Sequence, residues 1–241
     1  MAISGMGVVS RKAGEPSKLE EILIEEPGPG EVLVRIQASG VCHTDLMYKE
    51  GKISDEFPYL LGHEGAGIVE SVGEGVTIPA VGDYVILAWR APCGQCRFCN
   101  LGQPNLCSAS LNAKRRMTTK SDGLVLSPAL GIGTFCTHTV VAATQAIPVS
   151  TECPPSQACL IGCGVMTGVG AALYTAAVRR GSTVAVYGCG GVGCSVVMGA
   201  KLARAGKIIA VDIAQNKLVW ARQFGATDLV DASKTDPVEA I

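Results

Sequence analysis

Apolar and polar residues alternate along Glu31–Ala38 (EVLVRIQA), which predicts a strand with one buried face. Gly65–Val72 and Asp83–Ala88 carry similar short runs, separated by glycine-rich turns. The segment Pro27-Gly28-Pro29-Gly30 is a turn that no helix could accommodate. Residues 6–150 therefore read as mainly β. Beyond residue 180 the pattern changes. Thr183–Tyr187 (TVAVY) is a continuous apolar run, followed by a glycine turn and a helix to about Ala205. Lys207–Val211 predicts a second strand, Asn216–Phe224 a second helix, and Asp228–Val230 the start of a third strand. Strands alternating with helices imply a parallel sheet with covered faces, hence an α/β fold class. The residues between, 151–180, read as a connecting helix. The expected organisation is one domain over 1–150 and a second over 151–241.

Composition narrows the function classes. The chain has 241 residues, 48% of them apolar, and a formal net charge of −1 with scattered Lys and Arg. Nothing forms a basic stripe for nucleic acid or a patch for a membrane surface. Two uncharged stretches, Cys159–Val178 and Thr183–Ala200, have the length of membrane spans. Their glycines and the strand–turn–helix pattern of the second make buried segments of a soluble domain the expectation. Met1–Pro16 has no apolar core of a signal peptide, and 11 cysteines is an odd number. Both features fit a reducing, cytoplasmic location.

Four of the cysteines, Cys93, Cys96, Cys99 and Cys107, have C-x2-C-x2-C-x7-C spacing. Four thiolates on one loop can close a tetrahedron around a zinc ion, leaving no position for substrate. Such a site holds structure rather than doing chemistry. A four-cysteine iron–sulfur cluster and a pair of disulfides are the other readings of the same residues.

Gly188-x-Gly190-x-x-Gly193, with Gly191 and Val192 inside it, follows the first strand of the second domain and opens a helix. That context is what a dinucleotide fingerprint requires. The first glycine permits a tight turn, the second lets a pyrophosphate approach the backbone, and the third lets helix pack on strand. Asp212 ends the next strand, nineteen residues after Gly193. A carboxylate there accepts from a ribose 2′-hydroxyl and repels a 2′-phosphate, favouring NAD over NADP.

A second, incomplete metal shell can be assembled from Cys42, His63 and Cys163. Two thiolates and an imidazole leave a fourth position open, as in a catalytic zinc site. Spacing alone leaves the alternative that each is a core residue.

The sequence Gly40-Val41-Cys42-His43-Thr44-Asp45, Gly62-His63-Glu64-Gly65, the four-cysteine lobe, Gly162-Cys163-Gly164 and the Gly188 fingerprint resemble the zinc-dependent medium-chain alcohol dehydrogenases along essentially the whole chain. Trp89–Cys96 and Gly131–Phe135 are most similar to the class III-like S-(hydroxymethyl)mycothiol (formaldehyde) dehydrogenases. The resemblance implies a GroES-like, mainly-β catalytic domain joined to an incomplete, doubly wound Rossmann sheet. It implies two zinc ions per chain, NAD, and hydride transfer from a primary alcohol or thiol–formaldehyde adduct. It further implies that Cys42, His63 and Cys163 hold the catalytic zinc, with Asp45 bonded to His63 and Glu64 behind the metal. Thr44 would accept the alcohol proton and His43 would lie near the pyrophosphate. Asp212 and Lys217 would hold the ribose, Thr167 would pack near the nicotinamide, and Trp89 would line the substrate pocket. A homo-oligomer is implied for the parent enzyme.

The chain also departs from that family. Met47 stands where many members have a proton-relay histidine, and Leu111 where glutathione-dependent members have an arginine. Lys114-Arg115-Arg116 reads as a solvated loop. Related chains run longer, so this chain reads as C-terminally truncated and, made alone, as poorly stable and nearly inactive. A general primary-alcohol dehydrogenase and a non-catalytic, zinc-stabilised nucleotide-binding fragment are the competing functions.

Overall fold

The computed structural model describes residues 2–241. The chain divides into two compact units, one ending at Gly162 and one spanning Cys163–Ile241.

The first unit holds two five-stranded sheets. One runs in the order Met117–Thr119, Lys18–Ile24, Ile3–Ser10, Tyr59–Leu60, Ser127–Pro128. The other runs Ala146–Pro148, Tyr84–Leu87, Glu64–Val72, Glu31–Gly40, His138–Ala142. In the strand Glu31–Gly40, Val32 and Val34 pack with Val69, Val85 and Leu87. Leu33 points the other way, into a cluster with Val9, Ile22, Ile24 and Leu60. The first half of this strand is thus buried on both faces rather than one. Period two still sets the direction of each side chain, but a second core covers the face that alternation assigns to solvent. Exposure begins only at Arg35 and Gln37. Each fully buried Ile or Leu in these clusters contributes roughly 2 kcal/mol.

Glu31–Gly40 pairs antiparallel with Glu64–Val72, and Gly40 lies opposite Glu64. The segment leaving one strand and the segment entering the other therefore emerge side by side. Cys42 follows the first by two residues and His63 precedes the second by one, so both sit at the same end of the sheet. A Cβ at Gly40 would displace the Glu64 carboxylate and crowd Leu160.

The second unit contains a parallel sheet in the order Thr183–Tyr187, Lys207–Asp212, Asp228–Asp231. Its crossovers are the helices Gly191–Leu202 and Gln215–Phe224. Val186, Ile208 and Ala210 pack with Val197 and Leu218 from those helices. The opposite face buries Ile209, Val211 and Val230, while Thr183, Ala185 and Tyr187 are exposed. The run TVAVY is accordingly buried on one face only, since both crossover helices pack on the side of Val184 and Val186.

Residues 151–180 do not form one helix. They comprise a helical turn Pro155–Ala158, a 3-10 turn Cys159–Gly162, a helix Gly164–Gly170 and a π turn Ala171–Thr175. The break falls at Cys163, whose φ of −139° and ψ of −83° are not helical. At Gly162 a Cβ would overlap the Leu87 carbonyl. Among the described residues no single helix is long and apolar enough to cross a membrane. The glycines of the uncharged stretches serve helix packing instead. A Cβ at Gly168 would meet Ser195, and one at Gly199 would meet Ala172.

Candidate functional site

Short turns bring the four lobe cysteines together. The helix Arg97–Asn100 and the 3-10 turn Pro104–Leu106 are linked through Gly94 and Gly102, both at positive φ. Cys96 Sγ lies 3.6 Å from Cys99 Sγ and 3.9 Å from Cys107 Sγ. A ZnS4 tetrahedron with Zn–S near 2.3 Å has edges of about 3.8 Å. The backbone N–H of Cys93 donates to Cys107 Sγ and that of Cys96 to Cys93 Sγ, each at 3.3 Å. Backbone donors at Cys99 and Ser108 pull Cys96 down to about 5, whereas burial pushes Cys99 up to about 11. Four thiolates at these separations repel one another unless a cation lies between them, and zinc fits both the donor type and the edge length. All eleven cysteines are free, so the paired-disulfide reading is set aside.

The second cluster grows out of the first unit and the residue that directly follows it. One ligand atom from each of Cys42, His63, Glu64 and Cys163 lies within 4.8 Å of all the others. Cys42 caps the helix His43–Lys49, and Asp45 in its first turn accepts the Cys42 N–H at 3.0 Å. The other Asp45 oxygen accepts the Gly62 N–H at 3.2 Å and His63 Nδ1 at 2.8 Å. An ionised carboxylate can only accept, so Nδ1 carries the proton and Nε2 keeps its lone pair. His63 is wholly buried, Asp45 and Glu64 nearly so. Burial opposes ionisation of Cys42 but is outweighed by hydrogen bonds from Thr44 and by the His63 ring, so its thiol titrates below the usual range. Thr44 Oγ1 stands 3.6 Å from Cys42 Sγ. His43 is exposed and Met47 half-buried. Two sulfurs, an imidazole nitrogen and a carboxylate oxygen form a donor set suited to zinc.

Trp89 is 36% exposed and lines a cavity of about 380 Å³ with Tyr48, Tyr59, Arg90 and Arg115. In the run Lys114–Arg116, Lys114 and Arg115 are exposed in a loop, and only Arg116 is drawn inward. Arg115 pairs with Glu56, and Arg116 with Glu31 and, at 3.6 Å, Glu25. The buried Glu31 carboxylate also accepts the N–H groups of Gly28 and Lys114, each at 2.8 Å. Leu111 is exposed. Neither the anchoring role of Glu31 nor the cavity position of Arg90 was read from the sequence. The only signal for Arg90 was its place between Trp89 and the cysteine lobe.

In the second unit Gly188 has φ +86° and starts the turn. A Cβ at Gly193 would overlap the Gly188 carbonyl oxygen, whereas one at Gly190 or Gly191 would meet open space. The backbone is thus bare where a phosphate would approach and tight where helix meets strand. The helix Gly191–Leu202 begins at this turn with no side-chain cap on its first N–H groups, and a helix end of that kind stabilises an anion. Asp212 accepts the Cys189 N–H at 2.7 Å and the Ala214 N–H at 2.9 Å. Those backbone donors, the Cys189 N–H foremost, hold its carboxyl below the ordinary range, with Lys217 adding to the effect. One carboxylate therefore ties the glycine turn to the end of the next strand. Val192 is partly exposed; Thr167 is exposed, one turn along the helix that follows Cys163.

Residues 28–151 match the model of the alcohol dehydrogenase GroES-like domain, and residues 191–241 that of zinc-binding dehydrogenases. This chain is a member of the zinc-dependent alcohol dehydrogenase family. Relatives of the family include an S-(hydroxymethyl)glutathione dehydrogenase of Aspergillus oryzae, 45% identical over 92% of this chain and 60% of that protein. A zinc-binding-domain alcohol dehydrogenase from Burkholderia ambifaria superposes with a TM-score of 0.92 at 36% identity, over 100% of this chain and 67% of that one. An alcohol dehydrogenase from E. coli, solved in complex with cofactor NADH, gives 0.79 at 26% identity, over 98% and 65%. The chain spans less than two thirds of the length of the curated relatives it matches.

Proposed function

We propose that this dehydrogenase oxidises a primary alcohol, the formaldehyde adduct of a low-molecular-weight thiol of the mycothiol kind, with NAD as hydride acceptor. The observation that carries the proposal is the meeting of Cys42, His63, Glu64 and Cys163 within 4.8 Å. When bound, zinc supplies Lewis acidity toward an alcohol oxygen and NAD supplies the hydride acceptor. The side chains do the rest. Asp45 fixes the tautomer and direction of His63. Thr44 takes the hydroxyl proton, a role supported by its hydroxyl lying 3.6 Å from Cys42 Sγ. The bare backbone at Gly190 and Gly191 admits a pyrophosphate, and the negative charge of Asp212 disfavours a 2′-phosphate. Similarity in Trp89–Cys96, together with Leu111 in place of a cationic side chain, supports a thiol other than glutathione.

The test is NADH formation from formaldehyde by zinc-loaded protein, alone and with mycothiol or glutathione. A rate that needs mycothiol supports the proposal. An equal rate on simple primary alcohols without thiol supports a general alcohol dehydrogenase. One zinc per chain, with no turnover, supports a non-catalytic remnant.

A further inference from the structure

The two crossover helices of the second unit, Gly191–Leu202 and Gln215–Phe224, end next to each other, and an open cavity of about 700 Å³ lies at their last turns. It is lined by Met198, Lys201, Leu202, Arg204, Gln223 and Phe224. Leu202 and Phe224 stand exposed there. Neither Lys201 nor Arg204 has an ion pair or a side-chain hydrogen bond among the described residues. Acids are scarce around them. From Cys163 to Thr227 the chain carries one acid, Asp212, among seven Lys and Arg. Asp212 sits at the far end of its strand, engaged by the N–H groups of Cys189 and Ala214. The next acid, Asp228, faces Lys207 at 3.9 Å. The carbonyl ends of the two helices offset part of the positive charge, but no carboxylate among the described residues does. The backbone positions both cations. Gly225, at φ +123°, leaves room for the Lys201 stem, which a Cβ there would meet at Cγ and Cδ. Arg204 follows the helix end at φ +60°, a left-handed conformation in which glycine is the usual residue. Its N–H donates to the Lys201 carbonyl and its carbonyl accepts the Gly181 N–H, each at 2.9 Å. An arginine thus holds, under backbone strain, a position that glycine would fill freely. An apolar wall beside two unpaired cations is complementary to a molecule with one acidic head and a hydrocarbon tail: the tail leaves water and the head meets the cations. A tail of about ten carbons fits in a cavity of about 700 Å³.

We propose that this cavity binds a medium-chain carboxylate, its head held by Lys201 and Arg204 and its tail against Met198, Leu202 and Phe224. It shares no residue with the zinc clusters, the glycine turn or the cavity beside Trp89, and it stands independently of the dehydrogenase reading. The probe is monomeric decanoate, followed through the methyl resonance of Met198 in 1H–13C spectra of the zinc-loaded protein. Met198→Leu identifies that resonance by its loss. The expected result is saturable movement by decanoate and none by decyltrimethylammonium, which has the same tail and the opposite charge. Octanoate, two methylenes shorter, should bind roughly tenfold more weakly. Arg204→Gly removes one cation while relieving the backbone. It should melt no lower than the parent and bind decanoate about fivefold more weakly, with a shallower salt dependence. A Met198 signal that ignores decanoate, or follows the cationic amphiphile equally, overturns the proposal. Equal affinity for octanoate and decanoate overturns it, as does unchanged decanoate affinity in folded Arg204→Gly protein. A response to anionic vesicles but not to monomeric decanoate would make this face a membrane contact and overturn it as well.

Discussion

Asp45 serves three donors with one side chain: the N–H groups of Cys42 and Gly62 and the ring of His63. It therefore couples the end of one strand to the beginning of its neighbour as well as orienting a metal ligand. Asp45→Asn keeps the shape but leaves one oxygen to accept where two did. The expected outcome is a 10–100-fold loss of zinc affinity at the Cys42–His63–Cys163 cluster, read by chelator competition, with the cysteine lobe unaffected. Equal loss at both sites would show a global rather than a local effect. The glycine fingerprint divides in the same way at single-residue resolution. Gly193→Ala places a methyl group on the Gly188 carbonyl and should destabilise the second unit by about 2–3 kcal/mol in denaturant titration. Gly190→Ala meets open space, so stability should change by less than about 1 kcal/mol while NAD affinity falls. If the two variants behaved alike, the glycines would be doing one job rather than two.

At the scale of elements, the cysteine lobe has little apolar packing of its own. Of its four cysteines only Cys107 is fully buried, and Leu101, Leu106 and Leu111 are exposed. A segment of this kind is ordered by its cross-link rather than by a core. Cys107→Ser, or zinc removal, should open the loop between Cys93 and Leu111 to limited proteolysis and leave the two sheets of the first unit folded. The Arg90–Cys107 hydrogen bond joins this lobe to the wall of the cavity, so loosening one should loosen the other. Protease resistance of the loop without metal would show that the turns alone hold it.

For the molecule as a whole, Glu31 is a buried acid whose ionisation supports the first unit. Burial opposes its charge, but N–H donors from Lys114 and Gly28 and the Arg116 guanidinium prevail and hold it below its ordinary 4.5. A carboxyl with a depressed folded-state value stabilises the fold fully above the unfolded value and loses that contribution as pH falls through the folded one. Stability should therefore be level near neutrality and decline below about pH 4.5. Glu31→Gln should lower stability at pH 7 and flatten the acid limb; an unchanged acid limb would assign the decline to other carboxyls.

The clustering of the four lobe cysteines, the glycine turn and the βαβ order were legible in the chain because each is local. Cys-x2-Cys spacing, a Gly-x-Gly-x-x-Gly turn and a strand-to-helix change of period all act over a few residues. Alternation also assigned the side chains of Glu31–Ala38 to opposite faces correctly. It could not show that both faces are covered, since that depends on where a second sheet lies. The supposed connecting helix failed for a similar reason: Gly162 stops against a carbonyl seventy-five residues earlier in the chain. Cys42 and His63 lie twenty-one residues apart in the chain and come to one end of a sheet only because antiparallel pairing sets Gly40 beside Glu64. Arg90 and Glu31 acquire meaning only from partners that the fold brings to them. Local covalent geometry and periodicity were written in the sequence, whereas contacts between distant segments were decided by packing, because an unpaired side chain carries no sign of what will stand opposite it.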